Sequence, residues 1–567
     1  MKQKVIEILQ NAIKELGAKA DLDFEKLIES PKDYANGDFA FPSFALAREL
    51  KKAPQQIAID IKEAIGNAPE GFQEIKVVGP YLNFYVDRKS LAKNLIEEIK
   101  IKKDDFGKAE SNKKTLVIEF PSPNTNKPLH LGHLRNMSIG ESVSRISEAN
   151  GFDVKRVSLN NDRGTHICKS MLAYQKFGEG KIPEEVEKKG DHFVGDFYVK
   201  FAEEVKKNPE LEKEAQSMLA KWEDGDEEVR TLWEKMNSWA LGGFKETFKT
   251  FGIKMDKEYF ESQIYKEGKD IILNGLEKGI FEKREDGAII INLEDEKLGE
   301  KVLLRSDGTS IYITQDIYLA KIKFDDFNPD ESVYVTGNEQ DYHFKVLFSV
   351  LEKLGLADKE KLKHLSYGMV NLPTGRMKSR EGTVVDADDL IEELKNLVKK
   401  NLKERYDLSD EELESRSLKI GLAALKYFLL KVDVRRDMTF SAEESISFEG
   451  DTGPYLQYSY ARASSILRKS EGIKDFAMPE EFEEKELELT LKLNEFKQVV
   501  FDAYRQSNPA LIANYAYKTS QIFNEFYHSC KVIGSEQEAF RLNLIDSFRQ
   551  VLKNALALLG IEVMEEM

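Results

Sequence analysis

The sequence predicts a multidomain α/β plus all-α protein: a Rossmann-like parallel-sheet domain with a helical insertion, a small N-terminal α+β domain and a C-terminal helical bundle. Three observations predict it. The run from TLVIEF through GHLRNMSIGESVSRISEAN to DVKRVSLN reads as strand, helix and strand, which is a βαβ unit and hence a parallel sheet. From about residue 386 onward the apolar spacing is helical almost throughout. The 567 residues are also too many for one core, at roughly one domain per ~150 residues.

In chain order, KVIEILQNAIKEL places Val5, Ile8, Leu9, Ala12, Ile13 and Leu16 on one stripe, an amphipathic helix unlike the unbroken apolar segment of a signal peptide. Residues 1–107 then alternate helical and strand patterns to VVGPYLNFYVD and end in a polar linker, KKDDFGKAESNKK. The parallel-sheet domain is expected over 108–385. Its first helix should stop at Gly151, a C′ residue. Residues 178–265 mix Glu and Lys with Phe, Val, Leu and Trp at helical intervals, which predicts an inserted helical subdomain whose charge runs are solvated faces. AIIINL and KVLLRSDGTSIYITQD follow, with Asp307-Gly308 read as a turn between two strands, and SVYVTG and HLSYGMVNL read as the remaining central strands. Residues 386–567 complete the chain as helices.

Composition narrows the function classes. A net charge of −17 argues against general nucleic-acid affinity, DNA binding included, while leaving room for local basic tracks. Two cysteines, Cys168 and Cys530, are too few for a disulfide framework or a thiolate zinc site, and a reducing, cytoplasmic setting fits. No stretch approaches the roughly 18 uncharged apolar residues of a membrane span, so no membrane partner is expected.

The chemistry concentrates in PSPNTNKPLHLGHLRN, where His130 and His133 flank Gly132 at the carboxyl end of the first parallel strand, the place where ligands bind in such sheets. Metal binding is one reading of two close histidines, but the spacing lacks the intervening Glu of a zincin and no Cys cluster completes a site; no metal site is predicted. Purely structural histidines are the other. In the phosphate-binding reading, Gly132 lets a nucleotide approach the backbone, the following helix aims unpaired N–H groups at a phosphate, and the imidazoles donate to phosphate oxygens. Downstream, PTGRMKSREG gathers Arg376, Lys378 and Arg380 in a Gly-bounded loop, which taken alone reads better as a solvated surface loop than as a binding site. Together the two segments point to adenylyl transfer with pyrophosphate leaving.

These residues resemble the two signatures of the class I aminoacyl-tRNA synthetases, an HIGH-type turn and a KMSKS-type loop. VIEFPSPNTNKPLHLGHLRN, NDRGTHI, SDGTSIYITQDI, VTGNEQDYHF and GDTGPYLQYSYARA narrow the resemblance to arginyl-tRNA synthetases, and it runs from NGDFAFPSFALAREL to ALALLGIEVMEEM. The loop departs from the family pattern. Arg376-Met377-Lys378-Ser379-Arg380 lacks the second lysine, and Lys127, just before the turn, is the expected source of the missing charge.

The resemblance implies ATP and Mg2+ as cofactors, L-arginine and its tRNA as partners, and a monomer. Catalysis is then expected from His130, His133, Lys127, Arg376, Lys378 and Arg380, with Gly132, His343 and Met377 also at the nucleotide. Because arginine's carboxylate is already ionised, it needs no general base to attack the α-phosphorus, and positioning and charge stabilisation carry the reaction. Tyr312 and Asp316 are expected to hold the guanidinium, which a carboxylate can pair with in bidentate fashion. Glu119, Asn124 and Gln340 would hold the substrate's amino group and backbone end. Tyr81 and Asn83 are expected to read the tRNA elbow, and Tyr460, Asn524, Phe526 and Tyr527 the anticodon region.

Overall fold

The computed structural model describes residues 1–19, 22–29, 31, 36–309, 311–371 and 385–567. They form two compact units, one of residues 1–103, 470–494 and 525–547, the other of 104–469, 495–524 and 548–567.

The first unit contains a three-stranded antiparallel sheet with Tyr81–Val86 at its centre, between Phe39–Pro42 and Phe72–Val78. Helix Lys2–Glu15 packs on it through Val5, Ile6, Leu9, Ala12 and Ile13. Val5, Leu9, Ala12 and Ile13 of the predicted stripe are buried, Ile8 and Leu16 pack at its margin, and Ile6, outside the prediction, is buried as well. Elsewhere in this unit Arg541 Nε donates to Glu486 Oε1 at 2.7 Å, a buried pair.

The second unit is built on five parallel strands: β1 (Thr115–Glu119), β2 (Asp153–Asn160), β3 (Lys257–Phe260), β4 (Glu331–Gly337) and β5 (Leu362–Tyr367), in the order β3-β2-β1-β4-β5. The order reverses between β1 and β4, and such switch points open a crevice at the strands' carboxyl ends. Helix α1 (Leu131–Ala149) leaves β1 there and ends where predicted, with Gly151 at φ 87°. Two further helices border the crevice, α2 (Tyr312–Phe327) and α3 (Asp341–Lys353).

Four sequence expectations change. The ITQD run is the first turn of α2 and not a strand, so Asp307-Gly308 turns the chain from strand Gly299–Leu304 into a helix. Its Ile, Tyr and Thr favour strands, but tertiary packing of Ile313, Ile317 and Ala320 outweighs that weak preference. AIIINL lies outside the central sheet, in a separate antiparallel sheet of Glu282–Lys283, Ile289–Leu293 and Gly299–Leu304. The insertion contains helices Gly190–Lys207, Glu210–Glu223 and Glu227–Phe251, but its end supplies β3, a four-residue edge strand too short for a clear alternation. HLSYGMVNL splits into β5 and the pair Val370–Asn371, which bonds to Met438–Thr439.

Candidate active site

His130 is the N-cap of α1, and the local hydrogen bonds explain both histidines and the glycine between them. His130 Nδ1 accepts the Gly132 N–H and His133 Nδ1 accepts the His130 N–H, each at 3.1 Å. This is a reciprocal capping arrangement with imidazoles in place of the usual hydroxyl and carboxylate. Because both Nδ1 atoms accept, the proton of each neutral ring belongs on Nε2, which is then available to donate. Enclosure, reinforced by the Lys127 ammonium, pushes His130 down to about 4. Enclosure also holds His133 well below its ordinary range, helped by His130 and Lys127. Both rings are therefore neutral donors at physiological pH.

Two readings of the turn change accordingly. The first amides of α1 are already engaged: Leu131 N–H by Val385 O at 3.0 Å, Gly132 N–H by His130, and His133 N–H by His130 O at 2.7 Å. The helix amides are thus already engaged, and the donors left at this turn are the Nε2 edges of the two imidazoles. A Cβ on residue 132 would stand 2.9 Å from His130 Cε1, so Gly132 makes room for that ring, an intramolecular reason for the glycine.

The switch-point cleft has a volume of about 700 Å³. His130, Gly132, His133, Asp316, Gln340 and His343 all line it, beside Ser122 after β1 and Gly337 at the end of β4. His343 Nε2 lies 2.6 Å from Asp316 Oδ2, so the imidazole orients the carboxylate. Asp316 and Tyr312 lie one turn apart on α2, where residues four apart share a face. Tyr312 is 80% exposed, placing it outside the cleft lining. Glu119 is nearly enclosed, with Oε2 bonded to Lys323 at 2.6 Å, and Asn124 pairs in parallel with Asn161. Lys127 borders a smaller cavity of about 210 Å³ with His130, His192 and Asp386, and burial lowers its pKa. Arg376, Met377, Lys378 and Arg380 lie outside the described residues.

With this geometry in view, three family matches cover most of the chain: "Arginyl tRNA synthetase N terminal domain" over residues 3–86, "tRNA synthetases class I (R), catalytic domain" over 95–442, and "DALR anticodon binding domain" over 456–567. The arginine–tRNA ligase of Treponema denticola is 46% identical, over 100% of this chain and 99% of that one. The chain belongs to the arginyl-tRNA synthetase family. The arginine–tRNA ligase of Parabacteroides distasonis is 43% identical over the full length of both. The arginyl-tRNA synthetase structure from Thermus thermophilus superposes with a TM-score of 0.83 at 25% identity, covering all of both chains. That from Plasmodium falciparum shares the fold with a TM-score of 0.80 at 23% identity, covering 100% of this chain and 99% of the other.

For a member of this family, the residues expected to touch tRNA are placed unevenly. Tyr81 meets the half-exposed Phe44 edge-on with ring centroids 6.2 Å apart, but Asn83 on the same strand is 3% exposed and turned inward. Tyr527 is exposed, whereas Phe526 is wholly buried and Tyr460 is buried with its hydroxyl donating to Glu565 Oε1 at 2.8 Å. Neither of those two rings has a face open to a base. Asn524 is held by Tyr455, Ser459 and Arg462.

Sequence reasoning missed other residues around the site. Arg135, fully buried, donates to the carbonyls of Leu429, Val434 and Arg436, fastening the following chain to α1. Asn136 lines the cleft and donates to Val335 O at 2.7 Å and Tyr367 Oη at 3.3 Å. Both stand in the histidine-bearing motif, but their partners are some 200 to 300 residues away, beyond the reach of local spacing. Among the described residues, Asp191, His192 and Asp388 cluster in the manner of metal ligands, but Lys189 Nζ reaches both Asp191 (3.3 Å) and Asp388 (2.6 Å) and supplies the positive charge itself. Hydrogen bonds from His192, Lys189 and Thr247 outweigh burial and hold Asp388 down to about 2.

Proposed function

We propose that this chain ligates L-arginine to its cognate tRNA in two ATP-dependent steps, first forming arginyl-adenylate and then transferring arginine to the 2′-OH of the tRNA's terminal adenosine. One observation supports this beyond family membership: the paired imidazoles and Asp316, far apart in sequence, line the same cleft.

The division of labour follows from the side chains. His130 and His133 donate from Nε2 to phosphate oxygens as charge develops, and their neutrality removes any need to release a proton first. Lys127, with Arg376, Lys378 and Arg380, neutralises the departing pyrophosphate, Lys127 standing in for the missing second lysine. Met377 and Gly132 belong to the same nucleotide subsite. Asp316, oriented by His343, takes the guanidinium, with Tyr312 at its rim. Glu119, Asn124 and Gln340 receive the amino group and backbone end. ATP is the activating substrate. Of the two carboxylates in the described cleft lining, Asp316 is given to the guanidinium and Glu339 remains; Mg2+ sites in phosphate chemistry commonly combine one or two carboxylates with phosphate oxygens, so Glu339 fits Mg2+ as the companion of ATP.

Residues 1–107 serve the tRNA elbow through Tyr81 and its neighbours, 108–385 the chemistry, and 386–567 the anticodon region, where the exposed Tyr527 is the best-placed contact. We assign the protein to the cytoplasm as a monomer; among the described residues no helix is long and apolar enough to cross a membrane. Arginine-dependent ATP–pyrophosphate exchange, with and without tRNA, tests the activity. Exchange with arginine and tRNA is expected; no exchange with both present would overturn the reading.

A further inference from the structure

Helix α2 presents Asp316 to the cleft and, seven residues later, Lys323 to the protein interior. Seven residues are close to two turns, so the two side chains leave one side of the helix about 10.5 Å apart along its axis. Lys323 is 0% exposed. Its Nζ donates to Glu119 Oε2 at 2.6 Å and stands 3.6 Å from the centre of the Tyr334 ring. Glu119 Oε1 accepts from Ser122 Oγ at 3.4 Å, and Ser122 lines the cleft. The neighbouring contacts of α2 are made by Ile317, Leu319 and Ala320, which already pack the helix without charge. Lysine is almost never fully buried unless paired, and an apolar residue of similar volume often serves stability as well as or better than a buried ion pair. Packing alone therefore gives little reason for an ammonium at this position.

We propose that Lys323 is a positioning residue for arginine: it clamps one oxygen of Glu119 and thereby fixes where the substrate's α-ammonium docks. The inference rests on the reading that Glu119 receives that ammonium. One rigid helix then sets both ends of the amino-acid site, the guanidinium end directly through Asp316 and the amino end through Lys323 and Glu119.

The test is steady-state aminoacylation by the full-length protein with arginine and ATP varied separately. Lys323→Met should raise the KM for arginine at least tenfold while the KM for ATP stays within about twofold, and Lys323→Arg should restore most of the loss. Breaking a buried pair can unfold a protein, so the double variant Lys323→Met/Glu119→Gln, in which neither partner is left as an unpaired charge, serves as a second probe. It should fold and show an arginine KM no worse than that of Glu119→Gln alone, because the two residues act through one contact. Equal effects on both KM values, or an arginine KM within twofold of the parent in folded Lys323→Met, would overturn the clamp. If Glu119→Gln itself leaves the arginine KM unchanged, the assignment of Glu119 fails first, and the clamp falls with it.

Discussion

The rings of His130 and His133 lie with centroids 3.9 Å apart, each accepting a backbone amide at Nδ1. The cap of α1 and the proposed phosphate donors are thus the same two side chains. His133→Ala should slow adenylate formation by about 10²- to 10³-fold, the usual effect of losing one well-aimed donor. It should also lower stability by about 1 kcal/mol through the lost cap. Pyrophosphate exchange and thermal unfolding on the same preparation read the two effects. A variant that loses stability but keeps its exchange rate would reduce the pair to a structural cap.

The enclosed histidines make stability depend on pH. Burial, with Lys127 and Lys169 adding to it, pushes His166 down to about 4, close to His130. A folded pKa depressed below the ordinary 6.5 means that the unfolded chain takes up a proton the folded chain refuses, so each contribution is whole above pH 6.5 and shrinks as pH falls toward 4. His192, raised by its hydrogen bond to Asp388, and Glu261, raised to about 7 by burial, act in the opposite direction. The readout is therefore the difference between the parent and His166→Gln. In urea unfolding, the parent's advantage should decline between pH 6.5 and 5 by up to about 1.4 kcal/mol per pH unit. A difference independent of pH would contradict the assignment.

Asp316→Asn keeps the shape of the residue and removes its charge. With His343 still 2.6 Å from the same side chain, the local fold should persist. The arginine KM should rise by roughly tenfold to about 150-fold, the range of about 1.5 to 3 kcal/mol for a hydrogen bond to a charged group. The KM for ATP should change little. Steady-state aminoacylation measures both, and normal arginine affinity would remove Asp316 from the site.

Helix Gly190–Lys207 approaches the turn that carries Lys127 and His130 at Gly195, where a Cβ would fall 2.6 Å from Pro128 Cδ. Gly195→Ala should force the helix away from Lys127 and Pro128, at about 1–3 kcal/mol of overpacking, with a fall in exchange activity. Gly242, an exposed helical glycine with nothing within 4 Å of where a Cβ would stand, is the control. Gly242→Ala should stabilise by about 0.5–1 kcal/mol and leave activity intact. Melting curves of the two variants check the sign of each change.

The elements legible in the sequence were those specified locally. The βαβ unit and α1 announced themselves through apolar period, a turn and a terminal glycine, and the HxGH turn could be placed at a strand end without coordinates. The ITQD run misled because β-branched and aromatic residues carry only a weak preference, which the cluster around Ile317 overrides. Phe526 and Tyr460 misled because an aromatic at helical spacing looks the same whether it faces RNA or the core, and exposure is a tertiary property.

By itself, then, the amino-acid sequence determined the family and the parallel-sheet architecture and singled out the candidate reactive groups, since motif chemistry and periodicity are properties of neighbours along the chain. Only the tertiary structure decided that the amides of α1 are spent on Val385 and His130, that Gly132 accommodates an imidazole, and that Lys323 holds Glu119 from 204 residues away. Hydrogen bonds and buried ion pairs depend on distances of a few ångströms in space, and folding sets those distances without regard to separation along the chain.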